Sequence, residues 1–144
     1  KNHKKTLQQA LKGGGIRALE ELRAAGDVRA IGAGVNEWQI IDELAPLAGE
    51  LVCEKARYDG FYGTSLDHYL SRVWRVEHLV IVGTVSSICV LHTAAAAGLR
   101  WFHVVVPADA TSALTDFDQA LTLRQVSWLY LGDVVKNASD LQFV

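Results

Sequence analysis

His78-Leu79-Val80-Ile81-Val82-Gly83-Thr84-Val85-Ser86-Ser87-Ile88-Cys89-Val90-Leu91-His92-Thr93-Ala94-Ala95-Ala96-Ala97-Gly98 joins an apolar run, a polar turn and an alanine-rich segment without a break. The run up to Gly83 has the length and the β-branched content of a buried strand. Alanine has the strongest intrinsic helix preference, so Cys89 to Ala97 is predicted as helix, with a serine of the preceding turn as its cap. Cys89 then lies in the first helical turn, where unpaired backbone N–H groups and the positive end of the macrodipole favour a thiolate. That is the placement of a nucleophile. The same position also suits a buried cysteine packed between strand and helix.

Outward from this stretch, strands and helices alternate. Leu7, Leu11, Leu19 and Leu22 recur at helical spacing on either side of Gly13-Gly14-Gly15, and Gly26 is a stop signal. A strand is predicted over 28–35, a helix over 37–44 ending before Pro46, and a strand over 51–54. Thr64 can cap a helix reaching Val73. After the Cys89 helix come a strand over 101–106, a helix over 116–129 and a short strand over 133–136. Such alternation predicts a three-layer α/β/α domain on a five-stranded, mostly parallel sheet. Right-handed crossovers bring the carboxyl ends of the strands to one edge, where such sheets place their sites. Lys55 and Cys89 both fall there.

Composition sets the outer bounds. The chain has 144 residues, half of them hydrophobic, and is expected to form one domain over 1–144. A formal net charge of −2 argues against a nucleic-acid surface, and the lysines at the amino terminus read as a solvated end. Cys53 and Cys89 have neither disulfide-framework nor metal-site spacing, which fits a reducing, cytoplasmic setting. No apolar run has the length of a membrane span, and the first residues lack a secretory core.

The run Gly83 to Ala95, with Val104-Val105-Val106-Pro107-Ala108-Asp109-Ala110 after it, resembles the nucleophile segment of the isochorismatase-like cysteine hydrolases. Glu50-Leu51-Val52-Cys53-Glu54-Lys55 and Tyr58-Asp59-Gly60-Phe61-Tyr62-Gly63-Thr64-Ser65-Leu66 resemble the segment carrying that superfamily's lysine. The resemblance runs from about Ile40 to about Asp140 and implies hydrolysis of an amide or related C–N bond. It implies Cys89 as nucleophile and Lys55 as the group that stabilises its thiolate and orients the acid. It also implies an oxyanion hole of the Val85 and Cys89 N–H groups, held by a cis peptide at Thr84-Val85. The family's aspartate at the end of its first strand has no match. The nearest carboxylates are Asp27, Glu37 and Asp42, with Glu37 alone at the right edge.

Weak or absent activity follows from that gap, because one lost member of a catalytic unit can cost several orders of magnitude. The alternative is a non-enzymatic scaffold. Tyr58, Phe61 and Tyr62 are candidates for the wall of a small substrate pocket, or for packing the loop on the sheet. His68, His78, His92 and His103 lie on separate elements, so neither metal nor cofactor is expected, and His92 reads as structural. Trp74, Trp101 and Trp128 read as core or interface anchors, and a homo-oligomer is expected to cover exposed sheet.

Residues 10–39 resemble instead one helix and strand of an aldo-keto reductase barrel, with Asn36 near that family's nicotinamide. This resemblance implies two fragments joined near Ile40, as a natural rearrangement, a truncated gene product or a deliberately built chimera would leave them. The imported strand would take the centre of a flavodoxin-like 2-1-3-4-5 order, or else the family's second position.

Overall fold

The computed structural model describes Glu21, Ala24, the backbone of residues 30–32, and residues 45–142. The predicted helix over 37–44, the glycine run, Asn36 and the carboxylates Asp27, Glu37 and Asp42 lie outside the described residues. Within them the elements are β1 (Ala30–Gly32), β2 (Leu51–Cys53), α1 (Leu66–His68) continued by a π-helical segment (Tyr69–Trp74), β3 (His78–Val80) and β4 (Gly83–Thr84). A π-helical turn (Ser86–Val90) then runs into α2 (Leu91–Gly98), followed by β5 (His103–Pro107), β6 (Thr111–Ser112), α3 (Asp116–Trp128) and β7 (Asp133–Val135).

Among the described residues every strand pairing is parallel: β1 with β2, β3 with β5, β5 with β7, and β4 with β6. Parallel pairing requires crossovers, and α2 and α3 supply those of the β3-β5-β7 sheet. The order β3-β5-β7 agrees with the predicted succession, and β1 lies beside β2. Seven short strands stand among the described residues where five were expected. The difference arises at Gly83, whose φ of +126° turns the chain out of the β3 ladder and starts a second, two-residue ladder against β6.

The core forms where β5 meets the two longer helices. Val104 and Val106 of β5, Val126 of α3, and Ala94 and Ala97 of α2 are all buried in one cluster with Phe61, Leu70, Val90 and Phe102. Thr115 caps α3 by accepting the Asp118 N–H at 3.1 Å, and Asp116 and Asp118 in the first turn complement the macrodipole. Both longer helices end in a left-handed residue. Trp101 (φ +69°) follows α2 with Phe102 N–H donating to Ala97 O, and Leu131 (φ +53°) follows α3 with Gly132 N–H donating to Val126 O.

One expectation narrows here. Trp101 is 95% exposed and Trp128 68% exposed, which excludes the core for both and leaves the interface reading open, whereas Trp74 packs against the core. Trp101 lies three residues past Gly98 in the left-handed region, with its side chain in solvent.

Candidate active site

Lys55 follows the carboxyl end of β2, and Cys89 follows that of β4 through the π turn. The Lys55 Nζ donates to Cys89 Sγ at 3.8 Å and to Arg57 O at 3.0 Å. Both side chains are half-buried, so the ammonium and the sulfur face one another under partial cover from solvent.

The turn differs from the predicted one. Cys89 belongs to a π-helical turn, not to the first turn of an α-helix, and the N-cap residue Val85 makes no side-chain cap. The Val85 carbonyl accepts from Ile88 N–H at 3.1 Å and from Val90 N–H at 3.5 Å, the two amides on either side of Cys89. The Thr84–Val85 peptide is cis. Ser86, read as a possible cap, is instead fully buried and donates to Gln119 Oε1 at 2.7 Å.

The loop after Lys55 docks on α2. Thr93 Oγ1 accepts the Gly60 N–H at 3.0 Å and donates to Tyr58 O at 3.5 Å. A Cβ on Gly60 would stand 3.2 Å from the Thr93 methyl, so the small residue permits the close approach. Asp59 Oδ1 accepts the Phe61 N–H at 2.8 Å, and Thr64 Oγ1 donates to Gly60 O at 2.6 Å, closing the loop on itself.

The three aromatic candidates separate. Phe61 lies in the core, stacked on Phe102 at 5.9 Å with the Arg100 guanidinium over its ring at 4.7 Å, so it packs the loop and does not line a pocket. Tyr58 and Tyr62 are exposed on the same loop. His92 is exposed beside Tyr58, their ring centroids 5.7 Å apart, and its Nδ1 donates to Ile88 O at 2.6 Å. The carbonyl can only accept, so Nδ1 carries a proton and Nε2 faces outward. Cys53 is buried, its sulfur 3.8 Å from Ser65 Oγ. His78 and His103 are brought together by the β3–β5 register, with centroids 5.0 Å apart, and His103 Nε2 bonds Asp133 at 2.8 Å.

Ser86, Thr93 and Gln119 are the residues that sequence reasoning missed. Gln119 carried a signal: it shares a helical face with Thr122 and Val126, at spacings of three and four, and both of those are fully buried.

A thiol in a helical turn with an ammonium beside it is an arrangement that can support acyl transfer. The family model described as the isochorismatase domain matches residues 5–139. The chain belongs to the isochorismatase family. That match takes in the stretch that resembled an aldo-keto reductase and begins well before Ile40, so the expectation of a chimera is withdrawn. The ureidoacrylate amidohydrolase RutB of Cronobacter sakazakii is 35% identical over 96 residues, covering 65% of this chain and 41% of the relative. The RutB of Serratia proteamaculans is 34% identical over 116 residues, covering 78% and 46%. The chain thus spans less than half the length of these curated relatives. Among solved structures, the N-carbamoylsarcosine amidase of Thermoplasma acidophilum superposes with a TM-score of 0.76 at 28% identity, over 94% of this chain and 86% of that one. The nicotinamidase/pyrazinamidase of Bacillus subtilis shares the fold, with a TM-score of 0.76 at 19% identity over 91% and 86%.

None of the described helices is long and apolar enough to cross a membrane.

Proposed function

We propose that this single-domain chain is a cysteine-dependent amidohydrolase acting on the C–N bond of a small amide or ureido compound. The observation that carries the reading is the 3.8 Å contact between Lys55 Nζ and Cys89 Sγ, made by two residues from separate strand ends. The thiolate attacks the carbonyl carbon, the new oxyanion is held by the Val85 and Cys89 N–H groups, and collapse expels the amine as it takes a proton. Water then cleaves the thioester to release the acid and restore the thiol. Relatives named for ureidoacrylate and N-carbamoylsarcosine support the substrate class, since both names denote an N–CO–N unit. Tyr58 and Tyr62, exposed on the loop that follows Lys55, are the residues we assign to substrate contact.

The proton for the leaving nitrogen is the slow element of this reading. Its candidates, Asp27, Glu37 and Asp42, do not match the family's aspartate, so turnover is expected to be low. The test is ammonia release from a panel of small amides and ureido acids by the wild-type chain and by Cys89→Ser. Release that Cys89→Ser abolishes supports the reading. Release that survives the substitution, or a wild-type chain that leaves every compound intact, favours a scaffold without catalysis.

A further inference from the structure

Thr111 holds the turn between β4 and α2 from two sides. On the strand side, Gly83 pairs with Thr111 and Thr84 with Ser112. On the helical side, Ser86 donates to Gln119 Oε1 at 2.7 Å, and Gln119 Nε2 donates to Thr111 Oγ1 at 2.9 Å. Nε2 also faces Ala108 O at 3.4 Å. A carbonyl only accepts, so Ala108 fixes which way the amide points and obliges the Ser86 hydroxyl to donate. Thr111, having accepted from Gln119, donates to Pro107 O or Ala108 O, each at 3.4 Å. The Ser86 side chain is fully buried and Thr111 nearly so, and a satisfied buried chain of this kind is rigid.

Ser86 is the first residue of the π turn that carries Cys89, and it directly follows Val85. Anchoring Ser86 therefore constrains the backbone on either side of it, Val85 before it and the turn to Cys89 after it. We propose that Gln119 is a positioning residue of the active site: acting through Ser86, it holds those two N–H groups in place to receive the oxyanion. The inference rests on the cysteine-hydrolase reading above. Lys55 reaches Cys89 from β2, a separate route, so loss of Gln119 should weaken steps that place charge on a carbonyl oxygen and spare the thiolate itself.

Two reactions of Cys89 separate these effects. Iodoacetamide alkylates sulfur by expelling iodide, and no oxyanion forms. Benzaldehyde adds reversibly: the thiolate sulfur bonds the carbonyl carbon, the π pair moves to oxygen, and that oxygen is held by the N–H donors or takes a proton from water. In a Cys53→Ser background, the rate of Cys89 alkylation is followed by intact mass, together with the benzaldehyde concentration that halves it. Gln119→Leu and Ser86→Ala are each expected to raise that concentration about tenfold or more, while alkylation without aldehyde stays within about twofold. The double variant should lose no more than either single one, because the chain is already broken.

An unchanged halving concentration overturns the inference. So does a parallel fall in alkylation, or losses that multiply in the double variant. Should Gln119→Leu not yield folded protein, Ser86→Ala removes a single oxygen and carries the same comparison. If Cys89 alkylates as an ordinary thiol and Lys55→Met changes nothing, the hydrolase reading fails. A Lys55-dependent Cys89 that benzaldehyde does not protect overturns the Gln119 inference alone.

Discussion

Replacing Lys55 by methionine keeps the length of the side chain and removes its charge from beside the nucleophile. At the observed 3.8 Å, two unit charges attract by roughly 4 kcal/mol at an effective dielectric constant of about 20. Exposed pairs deliver only about 0.2–1 kcal/mol in practice. Both groups are half-buried, which places this pair between those limits, at about 1–2 kcal/mol of attraction between the ammonium and negative charge on the sulfur. Alkylation of Cys89 at pH 7, which proceeds through the charged sulfur, should therefore slow by about threefold or more in Lys55→Met, with Cys53 replaced by serine in both proteins. Intact-mass kinetics with iodoacetamide measure it. The lost bond from Nζ to Arg57 O is a partly solvated one, so thermal stability should change little. Equal rates in the two proteins, or a faster variant, would refute the argument that Lys55 supports the thiolate.

Three further substitutions probe the frame around the pair. A Cβ on Gly132 would sit 2.7 Å from Val104 O and 3.1 Å from a Val126 methyl; the oxygen belongs to the β3-β5-β7 ladder and cannot withdraw, so Gly132→Ala should cost about 1–3 kcal/mol and lower the melting temperature by several degrees in a thermal scan. Thr93→Val removes the acceptor of the Gly60 N–H, and exchange of that amide with deuterium should accelerate about tenfold while the exchange of α3 stays unchanged. Trp101→Gly relieves a left-handed, fully solvated side chain and is expected to raise stability by about 1 kcal/mol, read as an upward shift in melting temperature.

The sequence disclosed the parts of the fold that depend on patterns of a few residues. The strand ahead of Gly83 and the alanine-rich helix were legible because burial and helix propensity agree there, and α3, predicted over 116–129, forms over Asp116–Trp128. The π turn was not, since a π-helical and an α-helical turn place apolar residues in nearly the same pattern, and only the hydrogen bonds at the Val85 carbonyl distinguish them. For Trp101 hydrophobicity alone left core and interface both open, and its left-handed place past the end of α2 puts it in solvent. Tyr58, Phe61 and Tyr62 looked equivalent as three aromatics in one loop. The structure divides them by their polar handles, turning the ring without a hydroxyl inward and leaving both tyrosines at the surface. Within the site, Lys55 and Cys89 could be placed at one sheet edge from element order alone, but the Ser86–Gln119–Thr111 chain joins residues far apart in sequence, and a single chain gives no direct sign of such pairing.

Helix α2 serves the candidate site twice, and this ties the site to packing. Cys89 lies in the π turn that leads into it, and Thr93, four residues after Cys89, anchors the loop that carries Tyr58. Moving α2 would therefore displace the thiol and that loop together. What fixes α2 is the pair Ala94 and Ala97, both with no exposed surface, which pack in one cluster with Val104 and Val106 of β5. Larger residues at these two positions would lift the helix from the sheet, since a close-packed core does not absorb added methylenes without backbone shifts. The low side-chain volume that made this segment look like a plain helix is thus also what lets α2 lie close on β5, and with it the turn that carries Cys89.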